Sequence, residues 1–484
     1  MMINVKLNNK EFNYDVYQII NLFFLFPDIK FVEENYDYNI EVKEDVIVIQ
    51  KGSESYEYII NKSYKRKEEV KKAVFLYFSK HTTDELPWGT LIGIRPSKKA
   101  LELLQAGLSE EAIIAEFKEK HVTREDKAQL CIDVAKFEKN IVNTKKDNIS
   151  VYIGMPFCPT RCLYCSFASN PIEKCKDIVE PYLQSLAHEI KEVSSYIQEK
   201  KLKIECVYFG GGTPTSVNDE QFEFIMKCIY EGFTEKNNVK EFTVECGRPD
   251  SITYKKLSTM KKYGVHRISI NPQTMNDDTL KLIGRTHSVG DVTEKFTMAR
   301  ELGFDNINMD LIVGLPGEKI THIIKTCEKI LELKPDSITI HGLSIKRASK
   351  LHEKMLNNYR FEVPGQEELN KMYEYTVELS KKLHMKPYYM YRQKNMVGNM
   401  ENIGYTRPGY EGIYNIQMIE EKQTVIALGA DAVCKVVFLD ENRHERFANI
   451  KDVREYIKRL DEMIQKKIEL LETLYGSDAN ELSD

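Results

Sequence analysis

The sequence contains no apolar run of about eighteen residues or more, so no segment is long enough for a membrane-spanning helix. It also lacks an excess of positive charge, because 69 Lys and Arg residues are outnumbered by 74 Asp and Glu residues, giving a net charge of −5. A polybasic surface for nucleic acid is therefore not expected. Residues 1–13 lack a basic segment followed by an apolar core, and we expect a cytoplasmic protein with no membrane span and no nucleic-acid partner.

Cysteine is sparse as well, because ten cysteines in 484 residues fall far short of a fold built on disulfides. In a reducing compartment they are expected to be thiols or metal ligands. Three of them, Cys158, Cys162 and Cys165, lie within eight residues, whereas the other seven are scattered and are expected to be small buried residues. With 42% hydrophobic and 30% charged residues the chain has a globular balance, and its length predicts two or three domains.

The first 145 residues change from strand-like to helix-like patterning. Apolar and polar residues alternate over 38–60, which is typical of antiparallel strands. Apolar residues then recur at helical spacing from Val70 and again from Ile113, with Ser109 placed as an N-cap. Residues 1–145 are therefore predicted to form a small α+β domain that ends in a helical connector.

Residues 146–345 alternate short apolar runs with amphipathic helical stretches. The predicted strands are 151–153, 206–209, 242–244, 267–270, 307–312 and 337–340, and the predicted helices are 183–193, 219–232, 252–263, 276–283, 290–302 and 320–333. Six such units predict a parallel sheet buried on both faces, a partial (β/α)6 barrel of the α/β class. Residues 346–484 break this pattern and predict a mostly helical, substrate-covering region with helices at 367–383 and 453–474.

The carboxyl ends of the predicted strands carry polar and glycine residues where a core would contain aliphatic side chains. They are Cys158, Gly210–Thr213, Glu245, Gln273, Asp310 and His341. In such architectures the catalytic and ligand-binding residues lie at the carboxyl ends of the strands, so we expect these residues to share one site.

The three clustered cysteines directly follow the first strand of this barrel. Their thiolates would ligate three corners of a [4Fe–4S] cluster and leave the fourth iron open, whereas electron-transfer clusters have a full set of protein ligands. A zinc knuckle completed by Cys175 or His188 is the alternative interpretation. After the next strand, Gly210–Thr215 form a glycine-rich turn, which either lets a ligand approach the backbone or only joins a strand to a helix.

The motifs of this region follow the order found in one family. They are Tyr152–Phe167 with its three cysteines, Gly211–Pro214, Val244-Glu245, Asn271–Thr274, Ile283–His287 and Asp310–Gly317. Over about 150–320 the chain resembles the radical S-adenosylmethionine (SAM) superfamily and, within it, the oxygen-independent coproporphyrinogen III oxidase family, which includes heme chaperone relatives. Gly93–Lys98 and Tyr389–Asn395 are similar to the coproporphyrinogen dehydrogenase branch of HemZ type.

The resemblance implies a role for each matching residue. The cluster ligands, which are also the catalytic residues, would be Cys158, Cys162 and Cys165. The residues implied to contact SAM are Tyr152 and Tyr164 beside the cluster, Gly211, Gly212 and Thr213 at the methionine group, Glu245, Gln273 and Asp310 as polar contacts, and Arg285 at the carboxylate. Acceptors suit ribose hydroxyls and adenine, and a guanidinium suits a carboxylate.

The implied activity is reductive cleavage of SAM to a 5′-deoxyadenosyl radical, followed by oxidative decarboxylation of coproporphyrinogen III to protoporphyrinogen IX. Its implied partners are the tetrapyrrole substrate and an electron donor such as flavodoxin or ferredoxin. Arg392 and Lys394, among the tyrosines at 388–405, would meet the substrate carboxylates, and an aromatic core with a basic rim is the alternative for this segment.

The chain departs from the family at Gly154, where the well-characterised oxidases and the chaperones have histidine. Two alternatives to the decarboxylase therefore stay open at this point. One keeps the cluster, as a heme or tetrapyrrole carrier or as a radical SAM enzyme with another substrate. The other is a zinc-stabilised binding module without catalysis.

Overall fold

The computed structural model describes residues 2–24, 27–82, 85–167, 170–346, 348–356, 362–393 and 396–476. The chain forms two compact units. The first comprises Met1–Phe137, Pro364–Lys371 and Met390–Asn402, and the second comprises Glu138–Val363, Met372–Tyr389 and Ile403–Asp484. Within the described ranges, no helix combines the length and the apolar character that crossing a membrane requires.

The elements follow one another along the whole chain. The strands are β1 (Met2–Leu7), β2 (Asp28–Phe31), β3 (Tyr38–Val42), β4 (Val46–Lys51), β5 (Glu54–Ile59), β6 (Asn148–Met155), β7 (Phe157–Cys158), β8 (Asn170–Pro171), β9 (Lys203–Gly211), β10 (Glu241–Gly247), β11 (Arg267–Ile270), β12 (Ile307–Val313), β13 (Ser337–Gly342), β14 (Lys386–Tyr391), β15 (Asn402–Thr406), β16 (Thr424–Leu428), β17 (Val433–Phe438) and β18 (Arg443–Ala448). The α-helices are α1 (Asn13–Phe23), α2 (Arg66–His81), α3 (Pro96–Gln105), α4 (Glu110–His121), α5 (Glu125–Glu138), α6 (Lys176–Glu199), α7 (Asp219–Ile229), α8 (Tyr254–Lys262), α9 (Asp277–Leu282), α10 (Val289–Glu301), α11 (Ile320–Leu333), α12 (Lys350–Leu356), α13 (Gln366–Lys382), α14 (Ile413–Glu420), α15 (Val453–Lys458) and α16 (Leu460–Tyr475).

The first unit contains a five-stranded sheet in the order β2-β1-β3-β4-β5. Strands β3, β4 and β5 pair antiparallel, which confirms the prediction from the alternation over 38–60. Strands β1 and β2 were not predicted, although Ile3, Val5 and Leu7 alternate as buried residues along β1, which pairs parallel to β2 and β3. The predicted helix after Ser109 is also confirmed, as α4. The Ser109 side chain caps it by accepting a hydrogen bond from the N–H of Ala112 in its first turn.

The second unit is organised around an eleven-stranded sheet in the order β14-β15-β13-β12-β11-β10-β9-β6-β16-β17-β18. Its six central strands, β6 and β9 to β13, are the six predicted from the sequence, and every neighbouring pair among them is parallel. The six predicted helices between them are found as α6 to α11. The carboxyl ends of these strands therefore meet along one edge, as the site prediction requires.

The C-terminal region has more helical residues than strand residues, and it also extends the sheet at both ends. Helix α13 is the predicted helix at 367–383, and the predicted helix at 453–474 is present as the successive helices α15 and α16. Strands β14 to β18 were not predicted. Strand β15 pairs antiparallel to β13, and β16 pairs parallel to β6, with all five of its residues buried.

A buried ion pair fixes helix α16 to helix α6. The ammonium of Lys467 contacts the carboxylate of Glu189, and both side chains are fully buried. The same carboxylate accepts from the Tyr456 hydroxyl at 2.6 Å and from the Gly429 N–H at 2.7 Å. Because both charges are compensated inside the protein, the C-terminal helices are held to the barrel by polar contacts as well as by apolar packing.

Candidate functional site

Three cysteines lie on the loop that follows β6. Cys158 ends β7, whose pairing with β8 closes the base of the loop. The N–H of Leu163 donates to the carbonyl of Ile283 at 2.9 Å, which attaches the middle of the loop to the end of α9. None of the three cysteines forms a disulfide with another described cysteine; Cys158 and Cys162 are each 8% exposed, and Cys165 is more accessible. The predicted ligands are thus presented together by one anchored loop.

Hydrogen-bond donors surround two of these thiols. The Thr213 hydroxyl donates to Sγ of Cys158 at 3.5 Å, and Nη1 of Arg248 donates to Sγ of Cys162 at 3.6 Å. Nη1 of Arg285 lies 4.0 Å from the same Cys162 sulfur. Burial, reinforced by the neighbouring thiols, raises the pKa of Cys158 to about 12, so this thiol needs a metal to ionise near neutral pH. Three such thiols with two guanidinium groups beside them fit a cluster held by thiolates.

The glycine-rich turn after β9 packs directly against the cysteine loop. The N–H groups of Gly212 and Thr213 donate to the carbonyls of Met155 and Phe157 at 2.6 and 2.8 Å. A Cβ on Gly212 would lie 2.6 Å from the Phe157 carbonyl oxygen and 3.0 Å from Sγ of Cys158. Glycine is therefore required here because the backbone itself lies against a predicted cluster ligand.

Three stacked tyrosines lie beside this turn. The rings of Tyr152 and Tyr208 are 6.1 Å apart, and those of Tyr208 and Tyr414 are 4.5 Å apart, with interplanar angles of 16° and 22°. Gly211 has a φ of +100°, and a Cβ on it would come within 3.1 Å of the Tyr152 hydroxyl. The structure thus places Tyr152 against the turn that the sequence analysis assigns to SAM.

Acidic residues within strands β10 and β12 form the polar part of the site. The Tyr208 hydroxyl donates to the carboxylate of Glu245 at 3.2 Å. Burial, and then the charge of Asp310, raise the pKa of Glu245 to about 7. Burial also acts to raise the pKa of Asp310, but hydrogen bonds from His341 and Asn308 outweigh it and lower that pKa. The two carboxyl groups therefore differ in protonation near neutral pH, although they belong to one site.

Gln273 occupies a backbone conformation that is unusual for a residue with a side chain. Its φ is +68°, and two hydrogen bonds of 2.9 Å hold it there, one to the carbonyl of Asp310 and one from the N–H of Ile312. Its side-chain Oε1 is buried and, as far as the structure describes the chain, has no hydrogen-bond partner. A buried acceptor of this kind is a natural contact for a ligand that carries hydrogen-bond donors.

Arg285 is 5% exposed and joins several segments of the site. Its Nη1 donates to the Tyr164 hydroxyl at 3.1 Å, and its Nη2 donates to the carbonyls of Gly247 and Asn271 at 3.1 and 2.6 Å. Its Nε is buried and lacks a hydrogen-bond partner among the described residues. The implied contact with the SAM carboxylate therefore has this N–H available, while the other end of the guanidinium positions Tyr164.

Arg248 is a site residue that the sequence analysis missed. It is 3% exposed and forms a two-pronged ion pair with Asp250, with distances of 2.9 and 2.6 Å. It also donates to the hydroxyls of Thr160 and Thr286 at 3.0 and 2.9 Å, in addition to Cys162. Its position four residues after the predicted strand at 242–244 is a sequence signal, but that position alone does not mark a site residue.

The residues of the zinc alternative do not assemble around the cysteine loop. The ring of His188 is nearly half exposed and pairs with Asp461 at 3.3 Å, and Cys175 precedes the first turn of α6. In the ranges that the structure describes, no group of three or more His, Cys, Asp or Glu side chains is arranged to hold a metal ion, and this includes the three cysteines, so the finding does not separate zinc from iron. The pairing of His188 with Asp461 argues against His188 as the fourth zinc ligand.

The segment expected to meet the substrate carboxylates fits the alternative of a packed core. Arg392 is 3% exposed, stacks over the Trp88 ring at 4.8 Å, and donates to the carbonyls of Leu91 and Asn399. Tyr388, Tyr389 and Tyr405 are buried. Lys394, the other residue expected to bind a carboxylate, lies outside the described residues.

Comparison with known proteins identifies the same region independently of the geometry. A sequence model of the radical SAM superfamily matches residues 152–330. The chain is 40% identical over 398 residues to the oxygen-independent coproporphyrinogen-III oxidase-like protein HemZ of Bacillus subtilis, covering 82% of this chain and 79% of that protein.

Two further comparisons broaden the range of relatives. The heme chaperone HemW of B. subtilis is 34% identical over 225 residues, which cover 46% of this chain and 58% of HemW. The structure of the Escherichia coli coproporphyrinogen III oxidase HemN, described as a radical SAM enzyme, matches with a TM-score of 0.53 and 20% identity, covering 68% of this chain and 72% of HemN. The HemN match concerns the fold alone.

Proposed function

Because this chain belongs to the oxygen-independent coproporphyrinogen-III oxidase-like family of the radical SAM superfamily, we propose that it is a cytoplasmic enzyme that decarboxylates coproporphyrinogen III to protoporphyrinogen IX. The superfamily uses a [4Fe–4S] cluster and SAM, so both predicted cofactors are confirmed at that level. The electron donor is proposed to be a flavodoxin or a ferredoxin. The observation that carries the proposal is the convergence of the cysteine loop, the glycine turn and the carboxylates of β10 and β12 toward one edge of the parallel sheet.

Different described residues would hold the cluster and bring the backbone close to the ligand. When bound, the cluster and SAM supply an electron and a radical that removes a hydrogen atom from the substrate. Cys158, Cys162 and Cys165 would hold the cluster, and the exposure of Cys165 places the accessible side of the loop at that residue. Gly211 and Gly212 bring the backbone against the ligand position because they lack a Cβ.

The remaining residues would bind and orient SAM. Glu245, which is partly buried, and Gln273, which is buried, offer acceptors to hydroxyl or amino donors, and Nε of Arg285 offers a buried donor to a carboxylate. Asp310 is held ionised by His341, so it also acts as an acceptor. Tyr152, in its stack with Tyr208, covers the side of the site next to the glycine turn.

The reaction proposed for each of two propionate side chains balances as follows. A hydrogen atom leaves the carbon next to the pyrrole ring, which leaves an unpaired electron on that carbon. Transfer of one electron to an external acceptor and cleavage of the bond to the carboxylate then give a vinyl group and carbon dioxide. The side chain thus loses two electrons in total, one with the hydrogen atom and one to the acceptor.

A second candidate function is that of a heme or tetrapyrrole carrier. The similarity to heme chaperone HemW favours it. Gly154 does not distinguish the two candidates, because oxidases and chaperones alike are expected to have histidine at this position. The structure gives a local reason for a small residue there, because a Cβ on Gly154 would lie 3.3 Å from the Leu428 carbonyl and 3.5 Å from the Tyr152 ring. The carrier would bind a tetrapyrrole stably without converting it.

One anaerobic experiment separates the two candidates. The cluster-loaded protein is incubated with SAM, dithionite and coproporphyrinogen III, and carbon dioxide, vinyl products and 5′-deoxyadenosine are measured. We expect two carbon dioxide molecules per protoporphyrinogen, with none formed by the Cys162→Ala variant. Formation of 5′-deoxyadenosine without vinyl products, together with stable heme binding, would contradict the decarboxylase and favour the carrier.

A further inference from the structure

The segment that follows β13 is fixed against the cysteine loop. Nη2 of Arg161 donates to the carbonyl of Ala348 at 2.7 Å, and the N–H of Leu351 donates to the carbonyl of Leu163 at 2.8 Å. The N–H and the hydroxyl of Ser349 both donate to the carbonyl of Lys346, at 2.9 and 2.7 Å. These contacts close a turn that presents the Lys346 side chain beside the predicted cluster ligands.

Lys346 is a half-buried cation in this turn. Its ammonium interacts electrostatically with the Cys165 thiol, so it lies close to a predicted cluster ligand. No described carboxylate forms an ion pair with it, which is also true of Arg161 and Arg285, whereas Arg248 pairs with Asp250. A desolvated cation without an acidic partner is a favourable place for a ligand carboxylate.

Phe167 lies next to this cation and is 65% exposed. The ammonium of Lys346 is 5.8 Å from the centre of the Phe167 ring. Phe167 is only two residues beyond Cys165, so both side chains belong to the accessible edge of the cysteine loop. An exposed aromatic face next to a cation matches a large apolar ligand that carries carboxylates at its rim.

We propose that Lys346 binds a propionate carboxylate of a tetrapyrrole and that Phe167 covers part of its macrocycle. This inference rests on the proposed function and assigns the carboxylate contact that Arg392 does not provide, since Arg392 is used on Leu91 and Asn399. A small ligand suits this two-residue site better than an electron-transfer protein, whose interface would bury about 1,000 Å².

The test measures tetrapyrrole affinity directly, without turnover. Coproporphyrin III is titrated into the cluster-loaded protein under anaerobic conditions and followed by its fluorescence, and its tetramethyl ester serves as the ligand without carboxylates. The variants are Lys346→Gln, Lys346→Arg and Phe167→Ala, with Lys350→Gln as the matched control because Lys350 is exposed and only four residues away. Iron content and melting temperature establish that each variant is folded and loaded.

We expect Lys346→Gln to weaken binding of the free acid about tenfold and to leave binding of the ester unchanged, because a charge-assisted contact is lost. Lys346→Arg should retain most of the affinity, Phe167→Ala should weaken both ligands, and Lys350→Gln should weaken neither.

The remaining outcomes each overturn a specific statement. Equal affinity of the wild-type protein and Lys346→Gln for coproporphyrin III would overturn this inference and leave the proposed function intact. No binding of coproporphyrin III by the wild-type protein would overturn this inference, whereas failure to convert coproporphyrinogen III in the anaerobic assay would overturn the proposed function. Unchanged porphyrin affinity with slower cluster reduction by flavodoxin would assign Lys346 to the electron donor and likewise overturn this inference.

Discussion

Arg248 donates a hydrogen bond from Nη1 to Sγ of Cys162 at 3.6 Å, from a guanidinium that is almost fully buried. The orientation of this guanidinium is fixed by a bidentate ion pair with Asp250 and by hydrogen bonds to the hydroxyls of Thr160 and Thr286. The guanidinium therefore cannot turn away from the sulfur without breaking several polar contacts. Hydrogen bonds and positive charge at a cluster ligand favour the reduced, more negative state of the cluster.

Replacing Arg248 by methionine should lower the reduction potential of the cluster. Loss of one charged hydrogen bond to a ligand sulfur predicts a shift on the order of 50 mV to more negative values. The measurement is a redox titration of the loaded protein without SAM, followed by electron paramagnetic resonance. Arg248→Lys should shift the potential less, because it keeps the charge while losing the forked geometry.

Arg161→Met is the matched control for this prediction. Arg161 is on the same cysteine loop, but its guanidinium donates to the Ala348 carbonyl. The Arg161→Met variant should leave the potential close to the wild-type value, with a shift much smaller than the one of about 50 mV expected for Arg248→Met. An unchanged potential in Arg248→Met at normal iron content would show that the hydrogen bond has no electronic effect and that Arg248 only orders the loop.

Gly212→Ala should prevent stable incorporation of the cluster. The new Cβ would lie 2.6 Å from the Phe157 carbonyl, 2.8 Å from the Met155 carbonyl and 3.0 Å from Sγ of Cys158, and backbone atoms cannot move aside cheaply. Iron content and the visible absorbance of the reconstituted protein check this. Gly290→Ala is the control, since its Cβ meets only the Ser288 hydroxyl, at 3.5 Å, within the first turn of α10. Equal iron content in both variants would contradict the prediction.

The fold could be predicted best for strands that are buried on both faces, because such strands appear in the sequence as continuous apolar runs. The apolar runs at 206–209 and 267–270 indicated central parallel strands, and the structure confirms them as β9 and β11. Strand β14 was missed because its tyrosines, such as Tyr388 and Tyr389, fit either a helix or a strand. Strand β16 was missed because its pairing with β6 joins segments more than 250 residues apart, which no local pattern reports.

In the candidate site, too, residues in contiguous motifs could be predicted, whereas residues whose role depends on contacts with distant segments could not. The three cysteines and the glycine turn are contiguous motifs, so their spacing alone placed them at strand ends. Arg248 and Lys346 became visible only through the structure, because their significance depends on contacts with the cysteine loop. In the sequence, a charged residue after a strand looks the same whether it belongs to a functional site or to the surface. Only its contacts in the folded structure separate the two.

Arg285→Ala should weaken SAM binding while the protein retains its cluster. A charged contact of a carboxylate is worth about 1.5–3 kcal/mol, which corresponds to an affinity loss of roughly ten- to a hundredfold. Equilibrium dialysis of SAM with the loaded variant checks this, alongside its iron content. Because Arg285 also holds Tyr164, a Tyr164→Phe variant separates the two effects. If both variants lost the same affinity, the loss would come from the Tyr164 contact and the direct role of Arg285 would be refuted.

Glu245 should make SAM affinity depend on pH near neutrality. Its pKa is raised to about 7, so the carboxylate that accepts hydrogen bonds from SAM is present above that pH and is protonated below it. SAM affinity should therefore fall as the pH is lowered from 8 to 6, and Glu245→Gln should flatten this profile. Isothermal titration at several pH values measures both, and a variant that kept the wild-type slope would exclude Glu245 as the titrating group.

The same raised pKa makes an opposite prediction for the stability of the protein without SAM. The usual pKa of the glutamate, 4.5, applies to the unfolded chain, so the favourable contribution of Glu245 to folding is complete below pH 4.5. It is lost as the pH rises through about 7, because the ionised carboxylate is buried next to Asp310. Glu245→Gln should therefore raise the melting temperature at pH 8 more than at pH 5.5. Equal gains at both values would mean that the carboxylate is solvated in the folded protein.

Lys467→Met should destabilise the C-terminal helices far more than the loss of a surface charge would. The substitution leaves the fully buried Glu189 carboxylate without its ammonium partner, and breaking a buried pair in this way costs about 3–5 kcal/mol. Because Lys467 and the hydrogen bonds to Tyr456 and Gly429 outweigh burial and lower the pKa of Glu189, the stabilisation is present above pH 4.5 and is lost as the pH falls. Urea unfolding at pH 7 should show the full loss, and the difference from the wild type should shrink toward pH 4. The double variant Lys467→Met with Glu189→Leu removes both charges, so it should recover most of the stability; a double variant as unstable as the single one would show that packing, and not the buried charge, is the cause.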